Sequence, residues 1–284
     1  MKPTTKKVLI IAAILVAAGL LLATAAWALG AATSISPRSG VSAQQRHEVN
    51  ATLSAFERVE VRLPVSDVSI RHGDEFRVEG HIYTRDFHYG VEGNTLVLRG
   101  EEEVRRMPRI QIGFFNRVDL GGNLRITVPS HVELENMSFR VGVGDVTIIE
   151  VLADSLSISA GVGEVLIEGI DAQEISIEAG VGGLEVRNVN VRDVSMEAGV
   201  GDISFTGTFT GRGTIDVGTG SVSLRILDSE DYYAYDLQVG VGGVRIDGQS
   251  TGGLGANVSR SGSNPQGNLR VQVGVGDVTL DFLG

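Results

Sequence analysis

Read for apolar and polar positions, the chain changes rhythm twice. Residues 8–29 (VLIIAAILVAAGLLLATAAWAL) are apolar and carry no charge. From residue 56 onward the pattern becomes short runs of alternating apolar and polar positions, the period of a strand with one buried face. Between the two, residues 33–54 (TSISPRSGVSAQQRHEVNATLS) are polar and lack a clear period, which predicts a linker.

The alternation itself repeats. Gly-x-Gly occurs at Gly142–Gly144, Gly161–Gly163, Gly180–Gly182, Gly199–Gly201, Gly218–Gly220, Gly240–Gly242 and Gly274–Gly276, at intervals of 19, 19, 19, 19, 22 and 34 residues. A fixed period near 20 is the signature of a stacked solenoid. With each unit numbered from its first glycine, position 5 reads Val146, Val165, Leu184, Ile203, Val222, Val244, Val278, and position 7 is equally apolar. A second alternation follows at positions 15 and 17, as in Leu156 and Ile158 or Ile175 and Ile177, with Ser157, Ser176, Ser195 and Thr214 facing out between them. The predicted fold is all-β: a β-solenoid, a parallel β-helix-like stack of ~19-residue coils.

The Gly-x-Gly pair reads as the corner of each coil. Apolar parity runs through positions 15, 17 and 19 to the Val at position 2, then jumps three residues to position 5. A strand cannot hold both sets on one face without a bend, and the second glycine sits where the bend must be. Asp145, Glu164 and Asp202 follow it, placed to accept from corner amides. A nucleotide-binding glycine loop is excluded, because these glycines lead into β-branched strands and not into a helix.

Ahead of the repeat, VEVRL (59–63), DVSI (67–70), FRVEGHIY (76–83) and NTLVLRG (94–100) predict short strands joined by turns, and LRITVP (124–129) and VELENMSFRV (132–141) lead into the first corner. Residues 55–141 are expected to form an irregular β cap, and residues 142–284 the regular stack. EEEVRRMPRIQIGFFNRVDLGG (101–122) breaks the pattern by setting Arg105, Arg106 and Arg109 beside Phe114 and Phe115. It reads either as a loop tucked onto the cap or as a contact site for lipid headgroups, a glycan or a protein partner. The sixth unit carries an insertion, residues 247–268, expected to be a mobile surface loop that partly shields an incomplete last coil, or a binding loop that reaches outward.

Residues 8–29 as a helix would span roughly 33 Å, enough for a bilayer core. All three lysines (Lys2, Lys6, Lys7) precede them and Trp27 lies at the far end, which predicts a single-pass anchor over residues 1–32 with its C-terminal side outside the cytoplasm. A cleaved signal peptide is the alternative, with small residues near Ala26, Ala28 and Ala31, although its apolar region is usually shorter.

Charge narrows the function. Residues 142–284 carry 20 acids and 7 arginines, a net of −13, whereas residues 33–141 are nearly balanced at 15 acids and 14 arginines. Such a surface repels phosphate backbones, which argues against nucleic acid. The absence of cysteine removes disulfides, thiolate catalysis and Cys-ligated metals. A polysaccharide-acting β-helix enzyme is an alternative class, yet the carboxylates follow the coil repeat as a solvated ladder would, and no pair stands apart. Calcium binding is another, because Glu178, Glu197 and Asp216 share position 18 of successive coils and stack like charges. His81, Asp86 and His88 lie close in sequence but are commoner as ordinary surface groups than as ligands. No catalytic residue, cofactor or metal is assigned.

With the repeat laid out, the chain resembles the bacterial putative-adhesin family of β-strand-repeat domains of unknown function. The resemblance rests on the N-terminal anchor, F-x-x-V-x-V (Phe56 to Val61), DVSI (67–70), L-x-I-x-V-P (Leu124 to Pro129) and the Gly-x-Gly-[Asp/Glu/Gly]-apolar units. It implies a non-catalytic role at the bacterial cell envelope, adhesin-like or associated with envelope stress, with an envelope protein or glycan as partner. The family has no agreed catalytic residues to carry over.

Overall fold

The computed structural model describes residues 45–100, 122–250 and 255–284. They are all-β, apart from a 3-10 turn at Glu230–Tyr232. The strands ahead of the repeat are β1 (Gln45–Thr52), β2 (Arg58–Gly73), β3 (Arg77–Thr84), β4 (Phe87–Glu92), β5 (Thr95–Gly100) and β6 (Gly122–Pro129). The repeat supplies β7 (Glu133–Val143), β8 (Val146–Ile149), β9 (Leu152–Val162), β10 (Val165–Glu168), β11 (Asp171–Val181), β12 (Leu184–Val200), β13 (Ile203–Phe209), β14 (Arg212–Thr219) and β15 (Val222–Ile226). β16 (Tyr233–Val241), β17 (Val244–Ile246), β18 (Gln249–Ser250), β19 (Asn257–Ser261), β20 (Gly267–Val275) and β21 (Val278–Phe282) complete it.

Each coil gives one strand to each of two parallel ladders that meet at the Gly-x-Gly corner. The first ladder runs β5–β2–β7–β9–β11–β12–β14–β20–β16. The second runs β6–β2–β8–β10–β12–β13–β15–β21–β17. β2 and β12 each turn a corner and serve both. The register pairs like positions of successive coils, Ile158 with Ile177 and Ile177 with Met196, so the sequence columns become physical ladders. Ala43–Gly284 is one compact unit with its own continuous core.

Stack order departs from chain order at both ends. β2 lies one level in, between β5/β6 and β7/β8. At the other end the seventh coil (β20/β21) sits between the fifth (β14/β15) and the sixth (β16/β17). The expectation of an incomplete seventh coil at the end of the stack is therefore corrected: the sixth coil is terminal. The 22-residue interval explains how. Its three extra residues, with the turn at Glu230–Tyr232, carry the chain past one level, about 9.6 Å instead of 4.8 Å. The insertion then supplies β18 and β19, which pair antiparallel with β17 and β16 and cover the last coil, before the chain returns to fill the vacant level.

At the opposite end β4 pairs antiparallel with β5, and β3 with β6, so that end of both ladders is also covered. β1 adds to β3, which places a strand inside the stretch read as a linker. The runs at 59–63 and 67–70 form one strand, β2, and not two.

The inward columns make the core. In one coil Val146, Ile148, Leu156, Ile158 and Ala160 are all 4% exposed or less. Towards the C-terminal end it becomes aromatic: Phe209 lies 5.0 Å from Tyr233, which lies 5.8 Å from Phe282, centroid to centroid. The position-2 valines, expected to share the buried face, are the exception. Val143, Val162, Val181, Val200, Val241 and Val275 are 47–52% exposed. The chain bends one residue earlier than parity suggests, so position 19 is the last inward residue and position 2 points out at the corner.

Candidate functional site

The corner is built by backbone. The second glycine of each pair has φ between +139° and +153° (Gly144, Gly163, Gly182, Gly201, Gly220, Gly242, Gly276), a region that favours glycine. A Cβ on Gly182 would lie 1.8 Å from the carbonyl oxygen of Gly163 in the coil below. The first glycine has no positive φ, yet a Cβ on Gly180 would lie 2.5 Å from the carbonyl oxygen of Gly161. The two glycines thus serve different needs, one conformation and the other close approach.

Corner hydrogen bonds keep the ladder continuous. The position-3 amide donates to the position-2 carbonyl of the next coil, as Gly163 to Val181 at 3.0 Å and Gly182 to Val200 at 2.9 Å. The position-4 amide is left over, and an acid takes it. Asp145 Oδ1 accepts from the Glu164 amide at 2.8 Å, Asp202 Oδ1 from Ser221 at 2.7 Å and Asp277 Oδ1 from Gly243 at 2.7 Å. Asp67 begins the series by accepting from Asp145 at 3.0 Å, although no Gly-x-Gly precedes it.

Outside the corner, position 2 forms an unbroken line. Successive coils set Val143, Val162, Val181, Val200, Thr219, Val275 and Val241 directly beside one another. Six half-exposed valines in one row, interrupted once by Thr219, make an apolar seam on the order of a few hundred Å², comparable to the largest patch on an ordinary monomer, which is often functional. Glycine troughs flank it on both sides, and beyond them stand acids. On one side Glu178, Glu197 and Asp216 share a register. On the other are Asp145, Glu164, Asp202 and Asp277, all exposed. Where the first trough meets the insertion, Gly255 and Ala256 bond back to Gly240 and Val239 and wall off a hollow of about 670 Å³ whose lining includes Glu197, Asp216 and Gln272.

The remaining candidate residues distribute as follows. Arg105, Arg106, Arg109, Phe114 and Phe115 lie outside the described residues. Glu178, Glu197 and Asp216 stand side by side with no ion pair or side-chain hydrogen bond among the described residues. His81 packs edge-on against Tyr83, and His88 meets Glu92 at 2.9 Å. Among the described residues no three His, Asp or Glu side chains converge as a metal requires. Asp193 is held below the usual carboxylate range by the Arg212 amide and then by the Arg192 side chain, the opposite of what a general acid needs. Burial pushes the Tyr233 and Tyr235 hydroxyls up to about 12, with Asp228 and Glu230 adding to the shift.

Sequence reading missed a second corner. Glu150, Gly169 and Asn188, all at position 9, have φ of 52°, 68° and 53°. Three different residue types share one left-handed position, so no single letter marks the column.

Residues 58–281 match the model of a known protein family, described as Toastrack DUF4097. The chain belongs to that family. No curated protein matches it. Three solved structures resemble this Toastrack domain. One, a putative adhesin from Bacteroides fragilis NCTC 9343, is 16% identical, with 83% of this chain and 97% of that chain covered at a TM-score of 0.45. Another, from Parabacteroides distasonis ATCC 8503, carries the description of a putative lipid binding protein; it is 14% identical, with 84% and 94% covered, at 0.45. A putative cell adhesion protein from Clostridium sporogenes ATCC 15579 is 15% identical, with 84% and 99% covered, at 0.35.

Proposed function

We propose that the protein is a non-catalytic binding scaffold, anchored in the bacterial membrane by residues 8–29 with its solenoid outside the cytoplasm, and that it contacts an envelope partner along the valine seam. The observation that carries the binding reading is the seam itself. Six valines about half exposed, in register over seven coils, set a line of aliphatic surface on the outside of the domain that a partner can cover. The anchoring half rests on the uncharged run and on the lysines placed before it. Among the described residues no helix is long and apolar enough to cross a membrane.

The chain has no cysteine, so a single one reports unambiguously. In wall-stripped cells, a membrane-impermeant maleimide should label Val181→Cys, and a photo-crosslinker attached there should trap a partner that the same probe on Ser204→Cys, out on the second ladder, does not. Labelling only after lysis sinks the extracytoplasmic placement. Identical adducts from both positions, or none, sink the seam as a contact surface.

A further inference from the structure

We infer that the partner of the seam is a basic, apolar polypeptide segment, one that sets aliphatic side chains on the valines and lysines or arginines beside them. The inference rests on the binding reading above and adds the chemistry of the occupant.

Two observations select it. The seam runs seven levels from Val143 to Val241, six steps of about 4.8 Å, or roughly 29 Å. That length accommodates a segment on the order of 20 residues as a helix or about nine as a strand. The second observation is charge on both flanks. On one side Glu178, Glu197 and Asp216 hold the three middle levels without any partner among the described residues, with Arg140 and Ser159 before them and Gln272 and Gln238 after; Asp145, Glu164, Asp202 and Asp277 stand on the other. The position-4 aspartates spend one oxygen on a corner amide, which leaves the second oxygen to solvent or a ligand.

Charge separates the possible occupants. A second copy of this chain laid against the seam would bring the acids of its middle levels close to those of the first, in a segment with a net charge of −13 that Arg140 offsets only at one end. An anionic lipid surface meets the same repulsion. A cationic segment gains on both flanks, because long Lys and Arg side chains lay their stems over the glycine troughs while their heads reach the carboxylates. Acids on the flanks would also repel other copies of this chain from the apolar row.

The test uses the Ala43–Gly284 unit and three labelled probes in fluorescence anisotropy: a 20-residue amphipathic Leu/Lys peptide, its Leu/Glu counterpart, and poly-lysine. Expected are saturable binding of the Leu/Lys peptide and at least tenfold weaker binding of poly-lysine. The Leu/Glu peptide should not bind. Both Val162→Ser/Val181→Ser/Val200→Ser and Glu178→Gln/Glu197→Gln/Asp216→Asn should weaken the Leu/Lys complex on the order of tenfold, the first by losing apolar area and the second by losing several small charge contributions. Raising salt from 50 to 500 mM on the unmodified protein should weaken it in the same direction, which needs no variant to fold.

Equal binding of poly-lysine would remove the apolar half of the inference. Binding of Leu/Glu, or of neither Leu peptide, would overturn the cationic occupant while the seam crosslinking still decides the binding reading on its own. Dimerisation of the unit abolished by the valine triple variant would give the seam to a second copy and overturn the inference as well.

Discussion

One corner offers a graded test of the fold, because three of its glycines differ in backbone angle and in what a methyl group would strike. At Gly182 the new Cβ would lie 1.8 Å from the Gly163 oxygen and 2.7 Å from its carbon, at φ +145°. Ordinary contact begins near 3.4 Å, so the two coils must part by over 1 Å at a point where they are held by the Gly163–Val181 and Val165–Gly183 bonds, each of 3.0 Å. Losing both bonds costs about 2 kcal/mol, and placing a side chain in that region of φ costs about 1–3 kcal/mol. Gly182→Ala should therefore destabilise by about 3–5 kcal/mol. Gly180→Ala meets the Gly161 oxygen at 2.5 Å without positive φ and should lose about 1–2 kcal/mol. At Gly183 the nearest atom is the Asp202 oxygen at 3.8 Å, so Gly183→Ala should be neutral or gain about 0.5 kcal/mol through the unfolded chain. Urea titrations of Ala43–Gly284 followed by far-UV circular dichroism rank the three. Coincident midpoints for Gly182→Ala and Gly183→Ala would refute the corner geometry.

Two further outcomes are expected. Deleting residues 267–284 removes an inner level, so the sixth coil should lose its link to the fifth; hydrogen exchange should then be fast across Tyr233–Ile246, and retained protection there would mean the sixth coil can dock directly on the fifth. The raised pKa of Tyr233 and Tyr235 makes the neutral phenols part of the fold, with stability fully present below pH 10 and lost as pH rises towards 12. The fall in melting temperature over that window should flatten in Tyr233→Phe/Tyr235→Phe, and an unchanged slope would remove those tyrosines as its source.

The 19-residue period was legible because the seven coils of the repeat share one corner, with glycine at positive φ in position 3 of each; the β2 corner, with Ser66 in that place, carries no such mark. The acid at position 4 was legible for a related reason, since one amide per coil is left without a backbone partner. The swapped order of the last two coils was not. Units six and seven carry the same columns, and only the three residues added around Glu230–Tyr232 hint that a level is skipped. Val181 was read as buried because apolar character was taken for burial, an inference that runs safely in one direction only. β1 escaped because RHEVNAT offers Val49 as its one large apolar residue, and its pairing with β3 is fixed by the neighbour and not by its own pattern.

Setting β2 and β20/β21 one level inside the stack has a mechanical consequence. Most stacked chains end on an outer coil, which a pull on the terminus can peel one bond at a time. Here a pull on the C-terminal side loads β21, which is bonded on one edge to β15 and on the other to β17. On the N-terminal side, once β1 has come away, the load falls on β2, held between β5 and β7 in one ladder and between β6 and β8 in the other. Extension must then shear two rows of hydrogen bonds together at each end. The strands that take the load are thus each bonded along both edges, and neither end of the domain offers a single row to unzip.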